Sequence, residues 1–348
     1  MINIGVVGSG YWGPKHLRNF YELPEANIAY VCDLEEDKLR QVRSQYPSVA
    51  TTTRYRDLLG DSVDAIVVAT PAKTHYRLAK EALLHNKHVL IEKPITTSSL
   101  EALELIELAD RRNLVLMVGH TYEYHPAVDY LRQLIRRGEL GEIYGIDSDR
   151  LNLGLFRPDV NVLWDLAPHD ACIVLSLLDK EPLAVSARGT YHIDPGICDV
   201  AYVELLFPNG TMAHIHVSWL DPRKVRQTTI VGSKKMAIYD DVSEAEKIHI
   251  YDKGLAISAN TNGFAPWPLR YRYGDVTIPY ISSTEPLRLE CSHFLSCINE
   301  GKKPRSDGWA GLRIVQILEA ADRSLLNGGH REKLTPFSTM AESRQEVR

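Results

Sequence analysis

Cysteine is sparse in this sequence and shows no pairing pattern: Cys32, Cys172, Cys198, Cys291 and Cys297 are scattered, odd in number and free of any C-x-x-C spacing. Such a set excludes a disulfide-stapled fold and a structural zinc site, and it fits a reducing cytoplasm. No apolar run approaches the length that spans a bilayer, so no membrane partner is expected. Met1 leads directly into an apolar strand with no basic region or small-residue cleavage site, so no secretory leader is expected. Blocks of like charge are missing as well. Basic and acidic residues interleave to a net charge of −5, which argues against a nucleic-acid partner. No H-E-x-x-H or comparable metal spacing occurs, so no metal is expected. His214 and His216 read as one face of a strand, and His85 and His88 as flanks of a turn. Internal repeats and low-complexity segments are absent. What remains is an ordinary globular composition, 44% apolar and 24% charged, in 348 residues. That length exceeds the usual single core, so two domains are expected.

Against these absences stands one dense motif. The apolar run Ile2 to Val7 enters Gly8-Ser9-Gly10-Tyr11-Trp12-Gly13, and Asp33 follows twenty positions after the last glycine. Gly8 suits a tight turn out of the strand, Gly10 lets the backbone approach a pyrophosphate, and Gly13 lets the next helix sit close to the sheet. Free N–H groups at the helix start face the anion, with Tyr11 and Trp12 in the same loop. A second apolar run, Ile28 to Cys32, ends at Asp33, whose carboxylate suits the ribose hydroxyls and repels a 2′-phosphate. The segment is therefore predicted to bind NAD in preference to NADP, although Arg54 and Arg56 leave some room for dual use.

Strand-like runs at residues 2–7, 28–32, 65–69, 88–91 and 114–118 alternate with helical patterns such as 74–84 and 98–111. This alternation predicts an α/β fold with a doubly wound parallel sheet of Rossmann type over residues 1–121. From about Tyr122 the pattern changes to a helix at 125–137, one at 160–178, and strands at 143–151, 183–192, 200–207, 212–219, 227–231 and 236–239. Phe207-Pro208-Asn209-Gly210-Thr211 is a hairpin signal, and short turns between successive strands predict a mainly antiparallel sheet. The second domain, α+β, is set at 122–331, with helices at 287–299 and 308–326 and a loosely held polar tail at 332–348. Those two helices are candidates to pack back on the first domain.

Ligands bind at the carboxyl ends of parallel strands, and these ends are chemically distinctive. They carry Asp33, Ala69-Thr70-Pro71 with His75, Glu92-Lys93-Pro94, and Gly119-His120 followed by Tyr122. Lys93 is suited to stabilise alkoxide character as hydride leaves a carbinol carbon, with Pro94 restricting its backbone. On its own, Lys93 reads equally as a surface lysine. In Trp164-Asp165-Leu166-Ala167-Pro168-His169-Asp170 the pair Asp165 and His169 is spaced i, i+4 and shares one helical face. Pro168 predicts a distorted turn there, or else marks the true first turn. His169 suits a general base and Asp165 a substrate-binding or imidazole-orienting role; in isolation the pair reads as a capping Asp and a packed His. His120, Tyr122 and His125, at the expected domain junction, are candidates to line a cleft. Ser218 to Arg226 is expected to form a turn gathering Arg223, Lys224 and Arg226, suited to a diphosphate or simply solvated. Arg157 is a further candidate to reach that anion.

Taken together, Gly8-x-Gly10-x-x-Gly13, Ala69-Thr70-Pro71 with His75, Glu92-Lys93-Pro94 and Asp165-x-x-x-His169 resemble the Gfo/Idh/MocA oxidoreductases along nearly the whole chain. The resemblance implies that Lys93 and His169 are catalytic with Asp165 assisting, and that the second domain is an open sheet with one face on the active site and the other often against another subunit. Many members read D-x-G-x-H-x-x-D, whereas here Ala167 replaces the glycine and Cys172 the last aspartate. Leu151-Asn152-Leu153-Gly154-Leu155-Phe156, together with the later helix motif, is similar to members acting on nucleotide sugars, among them UDP-N-acetylglucosamine 3-dehydrogenases. The expected function is thus NAD-dependent oxidation of a ring hydroxyl, the 3-hydroxyl of a UDP-N-acetylhexosamine, in a cytoplasmic homodimer or homotetramer. The alternatives are an inositol or free-sugar dehydrogenase or ketoreductase and, from a different class, a dinucleotide-binding sensor without turnover. Apolar positions along 200–207 and 212–219 are expected to leave an apolar outer sheet face for a second copy to cover.

Overall fold

The apolar runs near the N-terminus build a six-stranded parallel sheet in the computed structural model, which describes residues 1–154, 156–157, 160–257 and 269–335. Leu155 and residues 336–348 of the expected tail lie outside the described residues. The chain divides into two units, Met1–His125 with Thr284–Gln316, and Pro126–Ser283 with the residues from Ile317 onward. Among the described residues no helix is long and apolar enough to cross a membrane.

The first unit runs β1 (Ile2–Val7), α1 (Gly13–Tyr21), β2 (Ala26–Cys32), α2 (Glu36–Gln45), β3 (Ala50–Thr52), β4 (Ala65–Val68), α3 (His75–Leu84), β5 (His88–Glu92), α4 (Ser99–Arg112) and β6 (Leu116–Gly119). The strand order β3-β2-β1-β4-β5-β6 reverses direction at β1, so the carboxyl ends of β1 and β4 flank the crevice where such sheets hold ligands. Every residue of β4 is buried, as a central strand covered on both faces requires. The short β3 has no periodic signal to announce it.

The second unit begins with α5 (Pro126–Arg136), β7 (Ile143–Leu153), α6 (Val162–Leu178), β8 (Ala184–Thr190), β9 (Val200–Leu206) and β10 (Met212–Ser218). It continues through β11 (Leu220–Gly232), β12 (Met236–Asp240), β13 (Ile248–Ile257) and β14 (Leu269–Thr277). The chain then returns to the first unit with α7 (Pro286–Glu300), whose Phe294 packs edge-on against Phe20 of α1. The unit boundary falls inside α8 (Gly308–Leu326), and β15 (Glu332–Lys333) ends the described chain's regular structure. The nine strands lie in the order β14-β13-β12-β11-β7-β10-β9-β8-β15, antiparallel except for the β7–β10 pair. Asn209 and Gly210 both take positive φ in the β9–β10 turn, which is why that dipeptide marks it.

Three expectations fail here for physical reasons. Residues 218–226 do not form a turn: β11 starts at Leu220 and pairs with β7 across a bulge that takes up the residues between Leu220 and Val225. Glu332 and Lys333 pair with β8 and are not loose tail. The outer face of the sheet is not an apolar patch either. Ala201, Val203, Leu205, Ala213, Ile215 and Val217 are all buried, on the face of β9 and β10 that packs on α6. The opposite side presents Asp147, Asp149, Tyr202, Glu204, His214 and His216. There His214 Nδ1 lies 2.9 Å from Asp147 Oδ1, and the His216 ring stacks on Tyr202. The argument from apolar exposure for a covering second copy therefore does not hold.

Helix α6 is locked to the sheet by a buried ion pair. Arg150 on the inner face of β7 donates through Nε to Asp170 Oδ2 at 2.6 Å and through Nη2 to Oδ1 at 3.2 Å, and the Ser148 hydroxyl donates to the same carboxylate at 2.8 Å. Removing one partner of such a pair strands the other without water. Arg150→Ala is expected to lower the unfolding free energy by about 3–5 kcal/mol in urea denaturation, with Arg150→Met/Asp170→Leu recovering part of the loss. A change under about 1 kcal/mol would show that the pair does not hold the helix.

Candidate active site

The glycine loop of the first unit is shaped by main-chain contact. Gly8 has φ +93°, and a β-carbon on it would stand 2.5 Å from the Ala69 carbonyl oxygen. One on Gly13 would stand 1.9 Å from the Gly8 carbonyl oxygen, whereas one on Gly10 would meet open space. The loop therefore presses on the Ala69-Thr70 turn at one end and on α1 at the other, and leaves Gly10 accessible to a pyrophosphate. Asp33, at the end of β2, accepts from the main-chain N–H of Ser9 at 2.6 Å and of Glu35 at 2.9 Å. A carboxylate has about four acceptor positions, so two suffice for these bonds and the others suit ribose hydroxyls. Lys15 of α1 sits over the rings of both Tyr11 and Trp12, at 3.7 and 4.5 Å. Arg54 is exposed and paired with Asp57 at 3.0 Å. The residues present fit a dinucleotide.

The remaining strand ends converge on a buried polar group. Thr70 and Thr74 share a hydrogen bond through their hydroxyls at 2.7 Å. His75 is buried, with Nδ1 2.8 Å from the Pro94 carbonyl oxygen and Nε2 2.8 Å from that of Thr70. The structure thus places His75 as a tie between the turns Ala69-Thr70-Pro71 and Glu92-Lys93-Pro94. Glu92 is also buried; its Oε1 lies 2.8 Å from His16 Nε2, and its Oε2 accepts from the Lys93 main-chain N–H at 3.1 Å. Lys93 itself is half-buried, and its peptide bond to Pro94 is cis. His120 is buried, and among the described residues neither of its ring nitrogens has a hydrogen-bond partner. Burial pushes its pKa down to about 4, against the pull of Glu92. Glu290 of α7, wholly buried, is held well above the usual carboxylate range by burial and then by Glu92, with the nearby Thr121 hydroxyl offsetting this only in part. Tyr122 is half-buried and stacks on the buried His125.

In the second unit α6 begins at Val162, so Pro168 lies inside the helix and not at its first turn. Asn161 caps the helix by accepting from Trp164 N at 3.1 Å, and Asp322 of α8 accepts from both Asn161 Nδ2 and the Trp164 indole N–H. One turn further on, Asp165 and His169 stand i, i+4. The Asp165 carboxylate accepts from the Trp219 indole N–H at 3.1 Å and lies 3.5 Å from Arg157 Nε. Arg157 is thus engaged with Asp165, and Arg226 lies 3.4 Å from Asp241, leaving Arg223 and Lys224 as the exposed cations of the expected cluster.

Two family models match the chain. The NAD-binding Rossmann-fold oxidoreductase model covers residues 2–120, and the GFO/IDH/MocA C-terminal domain model covers 128–238. The chain is 30% identical over 319 residues to UDP-N-acetylglucosamine 3-dehydrogenase of Acidithiobacillus ferrooxidans, covering 89% of this chain and 93% of that one. The chain belongs to the GFO/IDH/MocA oxidoreductase family. It is an NAD-binding oxidoreductase. The solved structure of the enzyme GnnA, UDP-N-acetylglucosamine 3-dehydrogenase from the same organism, superposes with a TM-score of 0.77 at 28% identity, over 93% of this chain and 97% of that one. Myo-inositol 2-dehydrogenase of Thermotoga maritima is 24% identical over 93% of this chain and 96% of its own length.

Several residues around this family's motifs were not singled out by the sequence reading: His16, Arg150, Trp219, Glu290 and Asp322. A signal existed for two of them. His16 falls on the buried side of the helix that opens at Gly13, and Arg150 falls on the buried parity of β7, where a cation demands a partner. Glu290, Trp219 and Asp322 have sequence-distant partners and left no local trace.

Two expectations test this geometry. Calorimetric titration is expected to show NAD binding at least about tenfold more tightly than NADP, a difference of about 1.4 kcal/mol, and Asp33→Ser is expected to erase it; equal affinities in the unmodified protein would sink the role of Asp33. His120, pushed down to about 4 by burial, is expected to stay neutral as pH falls from 8 to 5.5, so its ring NMR signals should not titrate there. A midpoint above pH 6 would show that the ring is not desolvated.

Proposed function

We propose that this oxidoreductase oxidises a ring hydroxyl of a sugar to a ketone, and that the sugar is a UDP-N-acetylhexosamine oxidised at its 3-hydroxyl. The observation that carries this reading is 30% identity to UDP-N-acetylglucosamine 3-dehydrogenase across 93% of that enzyme's length. NAD, when bound, supplies the hydride acceptor. Lys93 donates a hydrogen bond to the reacting oxygen and stabilises the alkoxide character that grows as the C–H bond breaks. His169 accepts the hydroxyl proton. Asp165, held by the Trp219 indole and Arg157, binds the sugar or orients the imidazole. Glu92 and His75 support Lys93 from the main chain, and Tyr122 and Arg223 contact the substrate, the latter through its diphosphate.

A second reading is a free-sugar or inositol dehydrogenase. The Thermotoga relative supports it, as does the engagement of Arg157 and Arg226 with carboxylates, which leaves fewer cations for a diphosphate.

Steady-state assays with NAD distinguish the readings. Turnover is expected with UDP-N-acetylglucosamine or its uronic acid and not with free N-acetylglucosamine or myo-inositol. Lys93→Ala and His169→Ala are each expected to lower kcat by about 10²-fold or more, with the Kd for NAD little changed. Efficient myo-inositol oxidation with no inhibition by UDP would replace the first reading with the second, and normal turnover in both variants would refute the mechanism.

A further inference from the structure

The turn that carries Lys93 is gripped on both sides by buried imidazoles, and each comes from an element of the dinucleotide site. On the N-terminal side, His16 stands on α1, three residues after Gly13 and the start of the helix. Its Nε2 is 2.8 Å from Glu92 Oε1, while Glu92 Oε2 accepts from the Lys93 N–H. The other His16 nitrogen faces Cys291 Sγ at 3.8 Å, so the ring is enclosed by α1, β5 and α7. On the C-terminal side, His75 opens α3, and its ring spans the carbonyl oxygens of Pro94 and Thr70. Neither histidine is open to solvent. Lys93 is thereby pinned through its own amide to α1, and through the next residue to the Ala69-Thr70-Pro71 turn on which Gly8 rests.

We infer that His16 and His75 are positioning residues that fix the main chain of Lys93 against the two dinucleotide-contacting elements, so that filling the dinucleotide site stiffens the Lys93 turn. This inference rests on the role given above to Lys93. The chemistry of the contacts supports a positioning role over simple core filling. Burying a His–carboxylate pair costs desolvation that an apolar pair of similar volume avoids, so as a mere stability device it is a poor one. A neutral imidazole has one N–H, yet His75 faces two carbonyl oxygens. Both contacts are full hydrogen bonds only for the imidazolium; burial holds the His75 pKa down, against the pull of the two carbonyls and of Glu92, so the neutral ring donates to one carbonyl at a time. The ring gains most where both turns stay within reach of it, as in this structure. Such a tie bears on rate because a displacement of about 1 Å in a reacting group costs on the order of 10²-fold.

Hydrogen–deuterium exchange read by mass spectrometry tests the inference without turnover. In the unmodified full chain, saturating NAD is expected to slow exchange in the peptide spanning residues 88–98 by about fivefold or more. In His16→Ala and His75→Ala this peptide is expected to exchange faster without NAD and to show little slowing with it, while a peptide from the middle of α4 is unchanged. In steady-state assays with NAD and UDP-N-acetylglucosamine the same variants are expected to lose about tenfold or more in kcat, while the Kd for NAD, measured by calorimetry, rises by about the factor by which NAD slows exchange in the unmodified protein, about fivefold. His16→Gln, which keeps an N–H donor for Glu92, is expected to recover part of the loss; an apolar His16→Leu of good stability is not. Should the alanine forms fold poorly, His16→Gln and Glu92→Gln carry the exchange comparison.

Unchanged exchange at 88–98 in folded variants, or full recovery by His16→Leu, would overturn the inference. If Lys93→Ala itself kept normal kcat, the reading of Lys93 would fail instead; if Lys93→Ala were crippled and both histidine variants were not, the inference alone would fail.

Discussion

Between the carbonyl of Gly8 and the α-carbon of Gly13 there is no space for another carbon atom, and much of the first unit's chemistry follows from that approach. It sets the line along which α1 leaves the loop, and α1 in turn carries His16 to Glu92. A side chain at Gly13 would drive the helix away from the Gly8 carbonyl and draw His16 off its partner, and one at Gly8 would press on the Ala69 carbonyl. The same loop rests on the Ala69-Thr70 turn, which His75 ties to Pro94. A local steric requirement thus propagates through two imidazoles to Lys93.

The second unit solves a comparable problem with charge. Helix α6 carries Asp165 and His169 on one face although Pro168 lies inside it, which removes a hydrogen bond to the carbonyl four residues earlier. Its orientation is secured from outside the helix: Asp170 is held by Arg150 and Ser148 on β7, and the helix start is held by Asp322. Asp165 is in turn fixed by the Trp219 indole. Each anchor comes from a different part of the unit, so the helix's rotation about its axis is determined even where its own ladder is weakened.

The nine-stranded sheet separates these tasks by face. Small and branched apolar side chains on β9 and β10 pack on α6, while the other face carries histidines and carboxylates in cross-strand pairs such as His214 with Asp147 and His216 with Asp149. Strand alternation makes that division unavoidable, since successive residues must point to opposite sides. Apolar content along a strand is therefore no measure of apolar exposure. Whether the apolar residues face inward depends on register against neighbours that the strand's own sequence does not name.

The sequence by itself determined the elements whose signals are local. The glycine spacing with Asp33 announced the dinucleotide loop, the alternation of apolar runs announced the parallel sheet, Asn209-Gly210 announced a hairpin, and i, i+4 spacing placed Asp165 and His169 on one face. These rest on steric and periodic rules that act within a few residues. Only the tertiary structure decided what lies beyond that range. It made residues 220–232 one bulged strand, because β7 was there to pair with them. It engaged Arg157 with Asp165 and Arg226 with Asp241, where the sequence showed only nearby positive charge. It buried Glu290 near Glu92 and brought His16 to that same carboxylate from 76 residues away. Such pairings arise when distant segments lose water together, and the free energy of that desolvation belongs to the assembled pair, so neither residue's sequence neighbours record it.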